Sequence, residues 1–330
     1  MIVNGVFEGG GVKAIALVGA VRAAEEQNVR FHQVAGTSSG AIVSSFLAAG
    51  YTANELKSII METPFTDFLA KSWLHEMRFV GPAIRLFVKK GLYSGQRLEQ
   101  WVAEKLAAKG IRTFADLPRG KLRIIASDIS QGKLLVLPDD IASYGIDPQR
   151  FPVARAVRMS TSIPYFFDPV VIRKAPKVRR KGESFSDQFI YIVDGGLLSN
   201  FPLWIYDQEN SHIPEDEQLP TLGFHLVGKQ SNAPRSIYGP LSMLQALFAT
   251  MMEAHDERYI EEKYRFRTIK IPTLGVRVTD FDIKPEKSLE LYESGYASAK
   301  AYFQKWSHQH YVSCFNQFIR NGGGGGNLLA

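Results

Sequence analysis

The chain is poor in the residues and runs that build several common protein classes. It has one cysteine, Cys314, which excludes an intrachain disulfide framework and a cysteine-built zinc site and fits a reducing compartment. Its longest apolar stretches, such as Ala41 to Ala49, fall well short of the roughly 18 residues a membrane span needs. The N-terminus reads MIVNGVFEGGG, with no basic region, apolar core or cleavage site, so no secretory signal is expected. Lys13 is followed by Ala14, whereas a phosphate-cradling loop needs Gly-Lys and then Ser or Thr. There is no internal repeat. These absences predict a cytoplasmic protein, soluble or peripheral to a membrane.

An excess of one charge is also slight. Lys and Arg number 39 against 33 Asp and Glu, giving +6 over 330 residues. The excess has one source: Arg173, Lys174, Lys177, Arg179, Arg180 and Lys181 fall within nine residues that contain no acid. Such a run is either a solvated loop or a contact for anionic phospholipid, worth about 1 kcal/mol per basic residue near the surface. Arg179, Arg180 and Lys181 are the candidate membrane contacts. Nucleic acid is the weaker reading, because no aromatics are interleaved with the run.

What is present is the material of a folded domain. Apolar residues make up 45% and charged ones 22%, and a chain this long can bury about three-quarters of its unfolded surface. Ile2 to Phe7 reads as a strand, Glu8-Gly9-Gly10-Gly11 as a sharp turn, and Val12 to Asn28 as a helix. Phe31 to Ala35 returns as a strand, Gly36-Thr37-Ser38-Ser39-Gly40 is a second turn, and Ala41 to Ala49 a buried helix stopped by Gly50. This βαβα rhythm implies a parallel sheet covered on both faces. Further strands are expected at Leu122–Ser127, Leu134–Leu137, Ile190–Val193 and Leu222–Val227. Helices are expected at Ala53–Glu62, Gly95–Ala108, Val153–Thr161, Leu241–Tyr264 and Pro285–Trp306. The fold class is α/β, a mostly parallel central sheet flanked by helices on both faces. No linker divides the chain, so 1–320 reads as one domain and 321–330, with five consecutive glycines, as a flexible tail.

Gly36-Thr37-Ser38-Ser39-Gly40 fits G-x-S-x-G, the strand-to-helix elbow that exposes a nucleophilic serine. Its flanking glycines, Gly36 and Gly40, leave room for the tight turn, and Ser38 stands at a helix N-terminus, which favours developing negative charge. Gly9-Gly10-Gly11 ends the neighbouring strand, so its N–H groups and that of Ser39 can meet beside Ser38 as oxyanion donors. A dinucleotide fingerprint fits less well, since Ala14 takes the third glycine place and no acidic ribose partner stands at a nearby strand end. A nucleophilic serine needs a base. Asp194, freed by Gly195-Gly196 at the end of a strand, has the most pointed context, although Asp-Gly is also a common turn start. His212, in an acidic loop, is the one histidine placed where a triad histidine could be found.

Taken together, these blocks resemble the patatin-like phospholipase family. Glu8 to Ala14 is similar to its glycine-rich oxyanion block, with Ala14 where the family usually has glycine. Gly36 to Gly40 matches the nucleophile elbow and Asp194-Gly195-Gly196 the aspartate block. Ser160-Thr161-Ser162-Ile163-Pro164-Tyr165-Phe166-Phe167 resembles the small-residue segment that precedes that aspartate. The resemblance runs from about Asn4 to Pro202 in family order. It implies a three-layer α/β/α sandwich and a lipid acyl hydrolase with Ser38 as nucleophile, Asp194 as base and no histidine. It also implies an oxyanion hole built by Gly9, Gly10, Gly11 and Ser39, and neither metal nor cofactor.

On this reading the partners are phospholipid or another acyl lipid and an anionic membrane, with no nucleic acid. An aspartate at its ordinary pKa near 3.9 is a poor base at neutral pH, so the pair is expected to depend on the oxyanion hole and a water-poor site. Lys13 reads as a head-group contact or a solvated helix-start lysine. The basic, aromatic stretch Phe65 to Leu92 reads as an interfacial segment, a cap over an acyl channel, or two core helices. Met243, Met251 and Met252, with Leu244, Leu247 and Phe248, make an apolar helix face that reads as core in preference to a lipid tunnel. The alternatives are a lipid- or nucleotide-binding protein of the same fold without catalysis, and an esterase with a Ser–Asp–His triad.

Overall fold

The computed structural model describes residues 1–69, 90–211, 213–214, 217–228, 237–239, 242–243, 246–247, 250 and 262–320. Its strands are β1 Ile2–Phe7, β2 Arg30–Thr37, β3 Gly91–Tyr93, β4 Leu122–Asp128, β5 Lys133–Leu137, β6 Tyr165–Phe167, β7 Val170–Arg173, β8 Phe189–Asp194, β9 Thr221–Val227 and β10 Thr268–Pro272. Its α-helices are α1 Ala14–Glu26, α2 Ser39–Ala48, α3 Ala53–Glu62, α4 Gln96–Ala108, α5 Val153–Ser160, α6 Asp207–Ser211, α7 Pro285–Lys305 and α8 His308–Phe315. His212, most of the 241–264 helix, most of the Phe65–Leu92 stretch and the glycine tail lie outside the described residues. Met243 and Leu247, which the apolar pattern assigns to the core, are exposed.

The main sheet has two halves. Strands β10, β9, β1, β2 and β4 run side by side and parallel, as the opening βαβα pattern requires. The other half is antiparallel: β5 and β8 pair with β4, and β7 pairs with β8. A small parallel pair, β3 and β6, stands apart.

Alternation along the strands divides the core. Phe7, Val34, Ile124 and Ala126 join the larger cluster with the buried faces of α1 and α3, while Val6, Ala35 and Ile125 point the other way. That second face is closed by Phe201 and by Leu203, Ile205 and Tyr206 of a short helical turn that leads into α6. Helices thus flank the sheet on both sides. From beyond residue 206, β9 and β10 complete the parallel half, and α7 crosses α1. At that crossing a Cβ on Gly19 would lie 1.9 Å from the Tyr292 carbonyl oxygen, and one on Gly295 1.7 Å from that of Ala16. Only glycine permits so close an approach.

Sheet register decides where the functional candidates go. β2 covers β4 residues 122–125, and β8 covers residues 126–128 of the same strand. β5 spans β4 from 124 to 128 and so occupies the opposite edge. β2 and β8 therefore share one edge and approach each other end to end: Thr37 stands opposite Ile125, and Asp194 opposite Ala126. Sequence alone suggests that Asp194 reaches the rim as Ser38 does, on a parallel strand; β8 is antiparallel, and its last residue arrives at that rim from outside.

Candidate active site

The serine side is built by backbone packing. Ser38 lies between β2 and α2 with φ 53° and ψ −125°, a conformation side chains rarely adopt and structures keep where the surroundings enforce it. The flanking glycines show how. A Cβ on Gly36 would sit 2.4 Å from the Gly40 backbone, and one on Gly40 would sit 2.2 Å from the Phe7 carbonyl oxygen. The start of α2 is thereby pressed against the end of β1. The Ser38 N–H donates to Ser160 Oγ at 2.8 Å, and Ser160 Oγ–H donates to the Ile125 carbonyl at 2.5 Å.

The aspartate side is built by burial. Asp194 is fully buried. Its Oδ2 accepts from Ser38 Oγ at 2.7 Å, its Oδ1 accepts from the Gly196 N–H at 2.8 Å, and its own N–H donates to the Ser162 carbonyl at 2.9 Å. Loss of hydration pushes the carboxyl up to about 7, against the opposing pull of the Ser38 and Gly196 hydrogen bonds. Desolvation thus lifts the carboxyl from the ordinary range, where an aspartate is a poor base at neutral pH, in the water-poor setting that the pair is expected to need.

The end of α5 and the residues just after it clamp the two sides together, Ser160 holding Ser38 and Ser162 holding Asp194. Behind it lies Arg158, which is buried and donates to the Ser94 carbonyl at 2.8 Å, the Asp168 carbonyl at 2.6 Å and Ser162 Oγ. Burial pulls its guanidinium down to about 10.

The glycine turn after β1 reaches Ser38, but its donors are used unequally. The Gly9 N–H donates to the Asn200 carbonyl at 3.3 Å, and the Gly10 N–H to Ser39 Oγ at 2.9 Å. The N–H groups of Gly11 and Ser39 meet no acceptor among the described residues, as expected at the first positions of helical turns. Gly9 fits tightly, since a Cβ there would sit 2.4 Å from Asn200 Oδ1. Asn200 Nδ2 donates to the Gly9 carbonyl at 3.2 Å and to Glu8 Oε1 at 3.0 Å. Glu8 Oε2 in turn accepts from the Leu226 N–H and lies 2.6 Å from His225 Nδ1. A buried polar network therefore backs the turn.

Beside Ser38 opens a narrow apolar cleft of about 60 Å³, with Ile42, Ile60, Phe68, Leu98, Trp101 and Phe281 in its wall. Its almost wholly apolar lining is that of a site for an apolar ligand group. Lys13 is half-buried, with its stem beside Gly10. Arg179, Arg180 and Lys181 are not in the cleft; they lie in the loop between β7 and β8. Among the described residues no three His, Cys, Asp or Glu cluster as a metal site, and no helix is long and apolar enough to cross a membrane. Sequence reasoning missed Ser160 as an anchor of the elbow, as well as Arg158, Asn200 and the Glu8–His225 pair. The available signal was polar residues set within apolar runs: Arg158 within Val153–Met159, and His225 within Leu222–Val227.

A family model described as patatin-like phospholipase matches residues 5–206. The protein YqhO of Bacillus subtilis (strain 168) is 40% identical over 309 residues, covering 93% of this chain and 100% of its own length. A probable lipid hydrolase of Invertebrate iridescent virus 6 is 24% identical over 206 residues, which covers 60% of this chain and 61% of the viral one. Among solved structures, VipD from Legionella pneumophila superposes with a TM-score of 0.53 at 18% identity, over 92% of this chain and 67% of VipD; that likeness is one of fold. With the matched segment holding the glycine turn, the elbow and the aspartate strand together, the chain belongs to the patatin-like phospholipase family.

Proposed function

We propose that the protein is a serine lipid acyl hydrolase, a phospholipase A-type enzyme that cleaves fatty-acyl esters of phospholipids through Ser38 and Asp194. The observation that carries this reading is the 2.7 Å hydrogen bond from Ser38 Oγ to a buried carboxylate whose pKa lies at about 7. A base titrating near the working pH combines a large unprotonated fraction with useful proton affinity. Ser38 Oγ attacks the ester carbonyl and its proton passes to Asp194. The carbonyl oxygen, now negative, is held by the N–H groups of Gly11 and Ser39, with that of Gly10 joining once Ser39 Oγ turns away. Collapse expels the alcohol, protonated by Asp194, and leaves an acyl ester on Ser38. Water, deprotonated by the same carboxylate, then releases the fatty acid. The acyl chain occupies the apolar cleft, where it is kept from water.

The deciding experiment treats the protein with a fluorophosphonate probe and maps the adduct, then follows fatty-acid release from phospholipid vesicles. Ser38 should carry the adduct, and Ser38→Ala and Asp194→Asn should each lose at least about 10⁴-fold in turnover. Full activity in Asp194→Asn would remove Asp194 as base, and loss of activity on replacing His212 would point to a triad.

A further inference from the structure

The basic run that accounts for the chain's net charge lies in the β7–β8 loop, and sheet register says which way that loop points. Asp194 is level with Ser38, and β8 runs from it away from the sheet's body. Phe189 is five residues further out, about 16 Å at the usual rise. The turn between β4 and β5 braces this outer part: the Ile129 N–H donates to the Tyr191 carbonyl and the Tyr191 N–H to Ser130 Oγ. The hairpin therefore projects from the rim at which Ser38 and the cleft lie.

Its charges are not equivalent. Lys174 is turned inward and paired with Glu183, and Arg179 Nε donates to the Lys174 carbonyl. Those two cations hold the loop in shape, so Arg179 is a fastener and not the surface contact expected from sequence. Lys177, Arg180 and Lys181 are exposed and have no acidic partner among the described residues. Gly182, beside them, has open space around it. Phe185 stands on the same loop, 68% exposed, with its ring edge-on to Phe189 at 5.2 Å and under the Arg173 guanidinium. An exposed phenylalanine gains free energy when an apolar phase receives it, and Asp187 is the one exposed acid in the loop.

We propose that this hairpin is a docking arm for a lipid bilayer bearing anionic headgroups: Lys177, Arg180 and Lys181 bind the headgroup layer while Phe185 enters its boundary. Cations combined with an exposed aromatic match that interface, and the projection of the arm sets the cleft against the layer that holds the substrate. The inference rests on the lipid hydrolase reading for its substrate, but docking can be measured without catalysis.

The test uses full-length Ser38→Ala protein, sedimented with vesicles of phosphatidylcholine alone or of phosphatidylcholine and phosphatidylglycerol in equal parts. Binding should require phosphatidylglycerol and fall as salt is raised. Lys177→Gln/Arg180→Gln/Lys181→Gln should weaken it on the order of a hundredfold, and Phe185→Ser at least about tenfold, with thermal melting unchanged in both. Equal binding to the two vesicle types, or unchanged binding by both variants, would overturn the docking arm while leaving the Ser38 chemistry standing. Salt-sensitive binding to a single-stranded oligonucleotide without binding to either vesicle would overturn it too. Retained docking with no Ser38 adduct in the unsubstituted protein would remove the hydrolase reading alone.

Discussion

β2 and β8 meet end to end along one edge of β4, yet they deliver their last residues by opposite physical means. On the β2 side the geometry is held in the backbone: Ser38 at φ 53° is trapped between glycines whose missing Cβ atoms let α2 touch β1. On the β8 side the backbone is ordinary, with Asp194 at φ −50° and ψ 134°, and the chemistry is held in the surroundings, which strip water from the carboxylate. Changes on the serine side should therefore break structure and activity together. Changes at the aspartate should separate them.

That separation is sharpest in Asp194→Asn. The amide can keep the contact with Gly196 through its oxygen and donate to Ser38 Oγ through its nitrogen, but it cannot take the serine proton. Turnover should fall about 10⁴-fold, or 5.5 kcal/mol of barrier, while stability rises. The sign follows from linkage. A carboxyl raised from 3.8 to about 7 binds its proton more tightly folded than unfolded, so its contribution to stability is full below pH 4 and is lost as pH rises through 7. The variant should match the unsubstituted protein near pH 4 and exceed it by up to about 4 kcal/mol at pH 8. Urea melts at the two pH values measure this, and equal stability at pH 8 would count against burial as the cause of the shift.

Gly40→Ala tests the other side. A methyl group 2.2 Å from the Phe7 carbonyl oxygen has no flexible side chain to displace, so α2 must move off β1. The expected loss is about 3 kcal/mol of stability, and the fluorophosphonate reaction at Ser38 should disappear with it. Full labelling with an unchanged melting temperature would show that the elbow is not held by this contact.

A pH–rate profile of the unsubstituted protein probes the aspartate side without mutation. The active form is the carboxylate, so kcat/KM for a soluble ester should fall about tenfold per pH unit below about 7 and level above it. A rate that stays flat down to pH 5 would place the carboxyl near its ordinary range.

The same contrast explains what could be read from sequence. β1, α1, β2 and α2 follow local rules, alternation broken by glycine turns, and their order fixes the parallel half. The edge strands β3, β6, β7 and β10 run three to five residues, too short for alternation to mark them. The direction of β8 depends on pairing with Ala126, Ser127 and Asp128, contacts more than sixty residues away that no local pattern encodes. Residue identities at Ser38 and Asp194 stand out because glycines flank both. The Asp194 proton affinity does not, since burial is a property of the assembled sheet. Ser160, Asn200 and Glu8 act through tertiary contacts and have no local mark, while His225 shows only as a polar residue in the apolar run Leu222–Val227.

The smallest effect is expected where the two sides are joined. Ser160 accepts the Ser38 N–H and donates to the Ile125 carbonyl, so Ser160→Ala orphans a buried donor and a buried acceptor, at about 1–3 kcal/mol. If Ser160 only filled space, the cost would appear in thermal melting and nowhere else. Because its partner is the N–H of the one residue held at φ 53°, Ser38 should instead relax away from Asp194 in part of the population. The fluorophosphonate reaction at Ser38 should then slow about tenfold at a temperature well below melting, a loss of about 1.4 kcal/mol, while the pH at which the rate is half-maximal stays near 7, since Asp194 remains buried. A shift in melting with undiminished labelling would assign Ser160 to packing and leave the elbow to its glycines.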